Sequence, residues 1–277
     1  MDKQAKLNLE KTACKVRIGI IHGIHAAKSG HPGGSLSSAD ILTYLYFKEM
    51  NIDPNNPSDP DRDRFVLSKG HAAPALYATL AERGYFSSEE LFNLRHIGSF
   101  LQGHPDMRKT PGVDMSTGSL GQGISAAVGM ALSAKHFGNK YRVYSILGDG
   151  EIEEGQVWEA AMFAANKKLS NLTLFVDLNG LQIDGTIDEV NSARPVDKKF
   201  EAFGWETIEI DGHNFEQIEQ ALNKAKESDK PVAIIANTIK GKGVSYMENA
   251  VGWHGAAPGD ELYAQAIEEL STALAAF

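Results

Sequence analysis

The residues best suited to chemistry in this sequence are an aspartate and an asparagine that each follow a strand-like apolar run. Asp149 lies in a Gly-Asp-Gly segment after residues 143–147, and Asn179 follows residues 172–176. A helical stretch separates the runs, which predicts a βαβ unit whose strands end at one sheet edge. Carboxylate and amide oxygens there suit a hard divalent cation, and the glycines would let a phosphate approach the backbone. Gly-Asp-Gly alone is typical of a turn, so the asparagine at the next strand end is what favours a site.

Four of the nine histidines lie in loops rich in glycine or proline that connect predicted elements. They are His31, His71, His104 and His254. Loops at one rim of a sheet often carry functional side chains, and imidazole exchanges protons near neutral pH. The alternative for each histidine is an ordinary local hydrogen bond, so the prediction of a shared site rests on their similar settings. A zinc site is disfavoured because the sequence has no HExxH segment and no paired cysteines.

A different ligand site is suggested by residues 121–126, which fit the G-x-G-x-x-[G/A] dinucleotide pattern. Asp149 follows them at about the distance expected for an acid that binds the ribose. That pattern requires a strand directly before Gly121, whereas the preceding RKTPGVDMSTGSL is unlike a buried strand. We therefore interpret this match as accidental.

The elements that must position these residues read as alternating helices and strands. Strands are predicted at residues 65–68, 143–147, 172–176, 205–210 and 232–238. Helices are predicted at about 9–28, from 37 onward, at 73–84, up to 137, at 215–227 and at the end of the chain. We expect residues 29–34 to form an irregular loop and Asp40 to cap the helix that begins at Ser37. The pattern predicts an α/β fold, a doubly wound and mostly parallel sheet with helices on both faces, in a single domain spanning 1–277.

Composition and charge exclude several classes of partner. The net charge is −9, from 27 basic and 36 acidic residues, and no basic run is longer than two, which argues against nucleic acid. The apolar runs are too short for a membrane span, and the charged amino terminus lacks the apolar core of a signal peptide, so a cytoplasmic protein is expected. The single cysteine, Cys14, lies in a predicted helix and is expected to be a buried structural thiol.

The segment Gly148-Asp149-Gly150 with Asn179 resembles the thiamine-diphosphate motif. Together with SGHPGG, LSKGHAAPALYA, QGHPD, TGSLGQG, TIKGKG and WHG, it is similar to the amino-terminal, diphosphate-binding domain of transketolase. The resemblance runs from about Lys11 to the terminal helix, and the motifs occur in the family's order. A 2-oxoacid dehydrogenase α chain shares the metal motif but not SGHPG or LSKGH, and deoxyxylulose-phosphate synthase shares only the general plan.

The resemblance implies a site for thiamine diphosphate and Mg²⁺ or Ca²⁺. The implied metal ligands are Asp149, the side-chain oxygen of Asn179 and the backbone carbonyl of Leu181. The implied cofactor contacts are His71, Gly118, Ser119, Leu120, Asp149, Gly150, Asn179, Ile183, Lys240 and His254. The implied catalytic residues are His31, His71, His104, His254 and Glu154. Among these, the histidines would contact the sugar or the diphosphate, and Glu154 would join a network across a subunit interface.

The reaction implied by the resemblance is transfer of a two-carbon ketol unit from a ketose phosphate to an aldose phosphate. Transketolases carry a second, pyrimidine-binding domain, and this sequence ends at STALAAF, where the first domain would end. We therefore expect one subunit of a split transketolase, active only with a separate carboxyl-terminal chain in an α₂β₂ assembly. A sulfosugar transketolase, an enzyme similar to deoxyxylulose-phosphate synthase and a non-catalytic binding domain stay open as alternatives.

Overall fold

The chain folds around a sheet of five parallel strands. A computed structural model describes residues 1–277. The strands are β1 (Arg64–Leu67), β2 (Val143–Gly148), β3 (Leu172–Leu178), β4 (Leu181–Gln182), β5 (Gly185–Thr186), β6 (Glu206–Asp211) and β7 (Val232–Asn237). The main sheet has the order β1-β2-β3-β7-β6, and β4 with β5 forms a small antiparallel ribbon after β3. All five strands of the predicted parallel sheet are present, so the predicted α/β class is confirmed.

Ten α-helices connect and cover the strands. They are α1 (Lys3–Ala27), α2 (Pro32–Ser37), α3 (Ala39–Tyr44), α4 (Ala73–Arg83), α5 (Gly123–Phe137), α6 (Gly155–Asn166), α7 (Ile187–Val190), α8 (Val196–Ala202), α9 (Phe215–Glu227) and α10 (Asp260–Ala276). None of them is both long enough and apolar enough to cross a lipid bilayer. Cys14 is buried in α1, as predicted, and its thiol donates to the carbonyl of Leu270 at 3.1 Å.

The apolar core lies in two layers, one on each face of the sheet. Successive side chains of a strand point to opposite faces. Accordingly, β2 contributes Tyr144 and Ile146 to one layer and Val143 and Leu147 to the other. Helices α1, α3, α4 and α9 cover the first face, and α5, α6 and α8 cover the second. The central strands β2 and β3 are buried on both faces, which explains their nearly continuous apolar sequence.

The register of the central strands places the predicted ligand residues at one edge. Gly148 at the end of β2 pairs with Asp177 in β3, and Leu178 at the end of β3 pairs with Asn237 in β7. The residues that directly follow these three strands therefore leave the sheet at the same carboxyl edge. That edge is where ligands bind in open parallel sheets.

Two local predictions are wrong. Residues 29–34 do not form an irregular loop throughout, because Pro32 begins the buried helix α2. Proline is well suited to a first helical turn, and Gly33 is packed so closely that a Cβ there would lie 2.9 Å from Lys240 Cγ. Asp40 does not cap a helix, since α3 begins at Ala39 without a side-chain cap and the Asp40 carboxylate pairs with buried Arg17 instead.

Candidate functional site

A cavity of about 330 Å³ opens at the carboxyl edge of the sheet, a size typical of small-molecule sites. Most of the predicted site residues line it. They are His31, His71, Gly118, Leu120, Asp149, Gly150, Asn179, Leu181, Ile183, Lys240 and His254. The structure therefore brings together groups that come from six separate loops of the sequence. The residues before Gly121 form turns rather than a strand, so the dinucleotide pattern lacks its required context, as expected.

Asp149 presents a buried carboxylate at the end of β2. It is only 3% exposed, and its two oxygens accept backbone N–H groups from Gly150 at 2.9 Å and Gly180 at 2.6 Å. Burial, followed by the negative charge of Asp177, raises the pKa of Asp149 to about 6. The site thus disfavours the negative charge unless a cation joins it. The side-chain oxygen of Asn179 lies beyond the end of β3 and accepts the Leu181 N–H at 3.2 Å.

Lys240 brings a positive charge to the cavity from the loop that follows β7. Its side chain is 2% exposed, and its ammonium donates to the Leu181 carbonyl at 2.8 Å. The same ammonium lies 3.0 Å from His254 Nδ1. Burial lowers the pKa of Lys240 to about 8, and Asp149 acts against this shift. The ammonium is therefore directed at the carbonyl that the family resemblance implies as a metal ligand.

Three of the four predicted histidines form a cluster beside Lys240. The ring centroids lie 5.2 Å apart for His31 and His71, 5.4 Å for His71 and His254, and 5.5 Å for His31 and His254. Burial lowers the pKa of His31 and of His254 to about 4, and it lowers the pKa of His71 well below its usual value. Neutral imidazoles result at pH 7. His31 Nδ1 is buried without a hydrogen-bond partner.

Three predicted residues lie outside this cavity. His104 is exposed and lines a neighbouring depression, although its ring packs against the cavity residue Gly118, where a Cβ would lie 3.0 Å from His104 Cγ. Ser119 is exposed. Glu154 is exposed at the amino terminus of α6 and packs on Gly121. The roles of these three residues, like those of the predicted residues that line the cavity, stay predictions.

A buried ion pair, whose Lys69 lines the cavity, was missed by the sequence reasoning. Lys69 follows β1 and Asp177 lies in β3, and the two side chains are 1% and 0% exposed. Lys69 also donates to the Gly34 carbonyl at 2.7 Å, while Asp177 accepts from Ser37 Oγ at 2.6 Å and from Thr238 Oγ1. The pair thus connects α2, β3 and the segments that follow β1 and β7. A charged residue at the end of each of two buried strands was the available signal.

Glu151 was also missed. Its carboxylate is 2% exposed, and it accepts the backbone N–H groups of Gly121 and Gly148, each at 3.0 Å, and the Ser68 hydroxyl. Burial raises its pKa, and these hydrogen bonds oppose the shift. Glu151 thus connects the Thr-Gly-Ser-Leu-Gly segment to the end of β2. It lies only two positions after Asp149, but the sequence pattern did not indicate a role for it.

Residues 9–274 match the family described as transketolase, thiamine diphosphate binding domain. The chain belongs to this family. It is similar to the 6-deoxy-6-sulfo-D-fructose transketolase subunit of Clostridium sp. (strain MSTE9), with 48% identity over 268 residues, 96% of this chain and 98% of that protein. The apulose-4-phosphate transketolase subunit of Phocaeicola vulgatus is 43% identical over 264 residues, 95% of this chain and 94% of that protein.

Longer transketolases match as well. Homo sapiens transketolase is 45% identical over 273 residues, 97% of this chain and 43% of that protein. The crystal structure of transketolase from Campylobacter jejuni superposes with a TM-score of 0.90 and 37% identity, over 98% of this chain and 43% of that one. The chain thus spans nearly the whole length of the two subunits and less than half the length of these transketolases.

The cavity fits the cofactor for which the transketolase domain is named. A diphosphate requires positive charge and close approach to the backbone, and Lys240 and Gly150 provide these at the cavity wall. The raised pKa of Asp149 marks a carboxylate that a cation would stabilise. Carboxylate, amide and carbonyl oxygens from Asp149, Asn179 and Leu181 are the donors that Mg²⁺ or Ca²⁺ prefers.

Proposed function

We propose that this chain is the diphosphate-binding subunit of a thiamine diphosphate- and Mg²⁺-dependent transketolase. It would transfer a two-carbon ketol unit from a ketose phosphate to an aldose phosphate together with a separate pyrimidine-binding chain. The observation that carries the proposal is the cavity in which the Asp149 carboxylate, the Asn179 amide and the Lys240 ammonium lie at the ends of neighbouring parallel strands. Residues 1–277 would form one domain and supply this half of the cofactor site.

Asp149, Asn179 and the Leu181 carbonyl would bind the Mg²⁺ ion in this proposal, and Ca²⁺ could replace it. Lys240, His71, His254 and the backbone of Gly150 would bind the diphosphate. The metal would offset the repulsion between the Asp149 carboxylate and the diphosphate, so each should bind poorly without the other. Gly118 and Leu120 would contact the pyrimidine, and Ser119 would be a further cofactor contact. Ile183, whose side chain is 63% exposed at the cavity, would contact the thiazolium.

When bound, thiamine diphosphate would supply a nucleophilic ring carbon and a cationic ring that can accept the electrons of a breaking carbon–carbon bond. The chain's own task is to bind the sugar and handle protons. His31 and His254 are neutral at pH 7, so each ring can accept a proton from a sugar hydroxyl and return it. His104 would extend this set from the neighbouring depression, where it contacts Gly118.

The proposed partner chain would dock beside α6. Met162 and Phe163 on this helix are 56% and 43% exposed, and Glu154 lies at its amino terminus. Two adjacent exposed apolar side chains on this helix favour a subunit interface over a solvated surface. Similarity to proteins named as transketolase subunits, over nearly their whole length, supports a separate partner chain. We propose that the two chains form an α₂β₂ assembly.

Reconstitution tests the proposal. The chain should be co-expressed with the product of the adjacent reading frame, and ketol transfer should be measured with thiamine diphosphate and Mg²⁺. We expect activity only when both chains, the cofactor and the metal are present, with loss of activity in Asp149→Asn. The exposed Asp184→Asn variant is the matched control and should keep its activity. Full activity of this chain alone, or of the Asp149→Asn complex, would contradict the proposal.

A sulfonated ketose is the second candidate substrate. It is favoured by the 48% identity with a protein named as a 6-deoxy-6-sulfo-D-fructose transketolase subunit. Sulfonate and phosphate are both tetrahedral anions, but they differ in charge. The reconstituted enzyme should be assayed with 6-deoxy-6-sulfo-D-fructose and with fructose 6-phosphate. A preference in kcat/KM above about tenfold, which corresponds to about 1.4 kcal/mol, would decide between the two.

A further inference from the structure

A histidine outside the cavity is connected to Lys240 through the backbone. We propose that His213 is a positioning residue that directs Lys240 into the cofactor cavity by accepting the N–H of Ile239. His213 lies just beyond β6, on the loop that leads to α9, and does not line the cavity. The benefit to cofactor binding rests on the proposed function of Lys240, whereas the placement of Lys240 can be tested without it.

The hydrogen bonds of His213 define its tautomer. Its Nε2 accepts the Ile239 N–H at 2.8 Å, so Nε2 carries no proton. Its Nδ1 lies 2.7 Å from Asp40 Oδ2 and therefore donates to that carboxylate. The side chain is 13% exposed. A neutral imidazole whose two nitrogens have opposite roles is oriented by the carboxylate, as in many sites where a second group fixes a histidine.

Arg17 holds the carboxylate in place. Its guanidinium donates to both oxygens of Asp40, at 3.1 and 2.5 Å, and the arginine and the aspartate are 8% and 5% exposed. Arg17 Nε also donates to the carbonyl of Lys242 at 3.1 Å. Arg17, Asp40 and His213, here called the Asp40 clamp, thus bind the loop after β7 at two points, the Ile239 N–H and the Lys242 carbonyl. These two points lie on either side of Lys240.

The Asp40 clamp holds the backbone on both sides of Lys240, whose long side chain depends on that backbone for its position. A lysine side chain has many rotamers and loses much of this freedom when it is ordered, so its position depends strongly on where its Cα is held. Lys240 nevertheless makes two defined contacts, with the Leu181 carbonyl and His254 Nδ1. The Ile239 N–H, one residue earlier, is the link that connects this placement to the clamp. A purely structural role for His213 would require only its bond to Asp40.

Two variants, each designed to keep only one of the two hydrogen bonds of His213, separate its contact with Ile239 from its contact with Asp40. His213→Gln can place an amide oxygen near the position of Nε2 and keep the acceptor for Ile239, while it loses the donor to Asp40. His213→Asn can place an amide N–H near the position of Nδ1 and keep the donor, while the Ile239 N–H loses its partner. Both remove one hydrogen bond from a partly buried site, so their effects on overall stability should be similar. Only His213→Asn should release Lys240.

The measurement is the labelling rate of individual lysines in the full chain with acetic anhydride, followed by peptide mass spectrometry. Lys69, which is 1% exposed, serves as an internal reference because global unfolding would expose it together with Lys240. We expect His213→Asn to raise labelling of Lys240 relative to Lys69 by about tenfold, or about 1.4 kcal/mol in the opening equilibrium. His213→Gln should remain within about twofold of the wild type. Hydrogen exchange of the Ile239 amide should follow the same order.

Asn214→Ala is the control for general loosening. It removes the amino-terminal cap of α9, where Asn214 Oδ1 accepts the N–H groups of Glu216 and Gln217, directly beside His213. It should leave the labelling ratio unchanged. Equal labelling in His213→Asn and the wild type, equal increases in the Asn and Gln variants, or a comparable increase in Asn214→Ala would overturn the proposal.

Binding of inorganic pyrophosphate with Mg²⁺ gives a separate readout. His213→Asn should weaken this affinity more than His213→Gln does. If the wild type fails to bind Mg²⁺-pyrophosphate, the proposed function is contradicted, and the labelling ratio still decides whether His213 positions Lys240.

Discussion

Replacement of Asp149 by asparagine is expected to stabilise the metal-free chain while it removes the proposed metal site. The carboxylate is 3% exposed, and burial together with Asp177 raises its pKa from 3.8 to about 6. Such a shift means that the folded chain pays a penalty for the ionised form that the unfolded chain does not. A neutral isostere should remove this penalty.

The magnitude follows from the pKa shift and the hydrogen bonds. A shift of about two units corresponds to about 3 kcal/mol, at about 1.4 kcal/mol for each unit. The asparagine offers one oxygen to the two N–H groups, of Gly150 and Gly180, that the carboxylate accepts, so one hydrogen bond is lost at a cost of about 1–2 kcal/mol. We therefore expect the free energy of unfolding to rise by about 1–2 kcal/mol at pH 7.5.

The effect should depend on pH in a defined direction. The folded pKa of Asp149 lies above the unfolded pKa, so the penalty is negligible below about pH 4, grows as the pH rises and is complete above the folded value of about 6. The penalty that Asp149→Asn removes should therefore be largest at pH 7 to 8. Below about pH 4, the lost hydrogen bond alone should remain.

Urea unfolding in EDTA, followed by circular dichroism from pH 5 to pH 8, measures this effect. Asp184→Asn removes the same charge from an exposed position near the site and should change stability by less than about 0.5 kcal/mol. An Asp149→Asn variant that is less stable than the wild type at pH 7.5, or a stability difference that does not change with pH, would refute the reasoning.

Three further predictions concern the scaffold. Gly241→Ala should destabilise the chain far more than Gly84→Ala in thermal melts. Both glycines have positive φ, so the backbone strain of alanine is similar at the two positions. A Cβ at 241 would lie 2.2 Å from the Met247 carbonyl oxygen, whereas a Cβ at 84 meets nothing within 4 Å. Phe200→Ala should cost about 3–5 kcal/mol in urea unfolding, since the ring is fully buried, whereas the exposed Phe137→Ala should cost little. Asp40→Asn should destabilise the chain at pH 7, and the difference in stability should shrink as the pH falls from about 4 towards 2. The reason is that burial raises the Asp40 pKa, but Arg17 and His213 outweigh burial and lower it to about 2. Urea unfolding at pH 7 and pH 3 checks this prediction.

The sheet and its ligand edge could be predicted because their signals are local. Apolar runs mark β2 and β3, and the polar residues directly after each run must emerge at the carboxyl edge of parallel strands. Asp149 and Asn179 were placed at this edge in this way, whereas Lys240 was implied by the family resemblance, and all three line the cavity.

Pairings across the fold could not be predicted in the same way. Lys69 follows β1 and Asp177 lies in β3, with β2 between them in the sheet, so their contact depends on a strand order that no local pattern contains. Asp40 was interpreted as a helix cap from its local position. Its actual partner, Arg17, lies on another helix and could not be recognised from a local pattern. The roles of His104 and Glu154 stay predictions, because their expected contacts involve a sugar and a second subunit.

Calorimetric titration with inorganic pyrophosphate tests most directly the central claim that the ends of β2 and β3 hold a metal-bound diphosphate. The titration should be run in Mg²⁺ and in EDTA, with the wild type, Asp149→Asn and Asp184→Asn. We predict saturable binding by the wild type and Asp184→Asn in Mg²⁺, and none in EDTA or with Asp149→Asn. Binding of equal affinity in EDTA, or by the Asp149→Asn chain, would contradict the account.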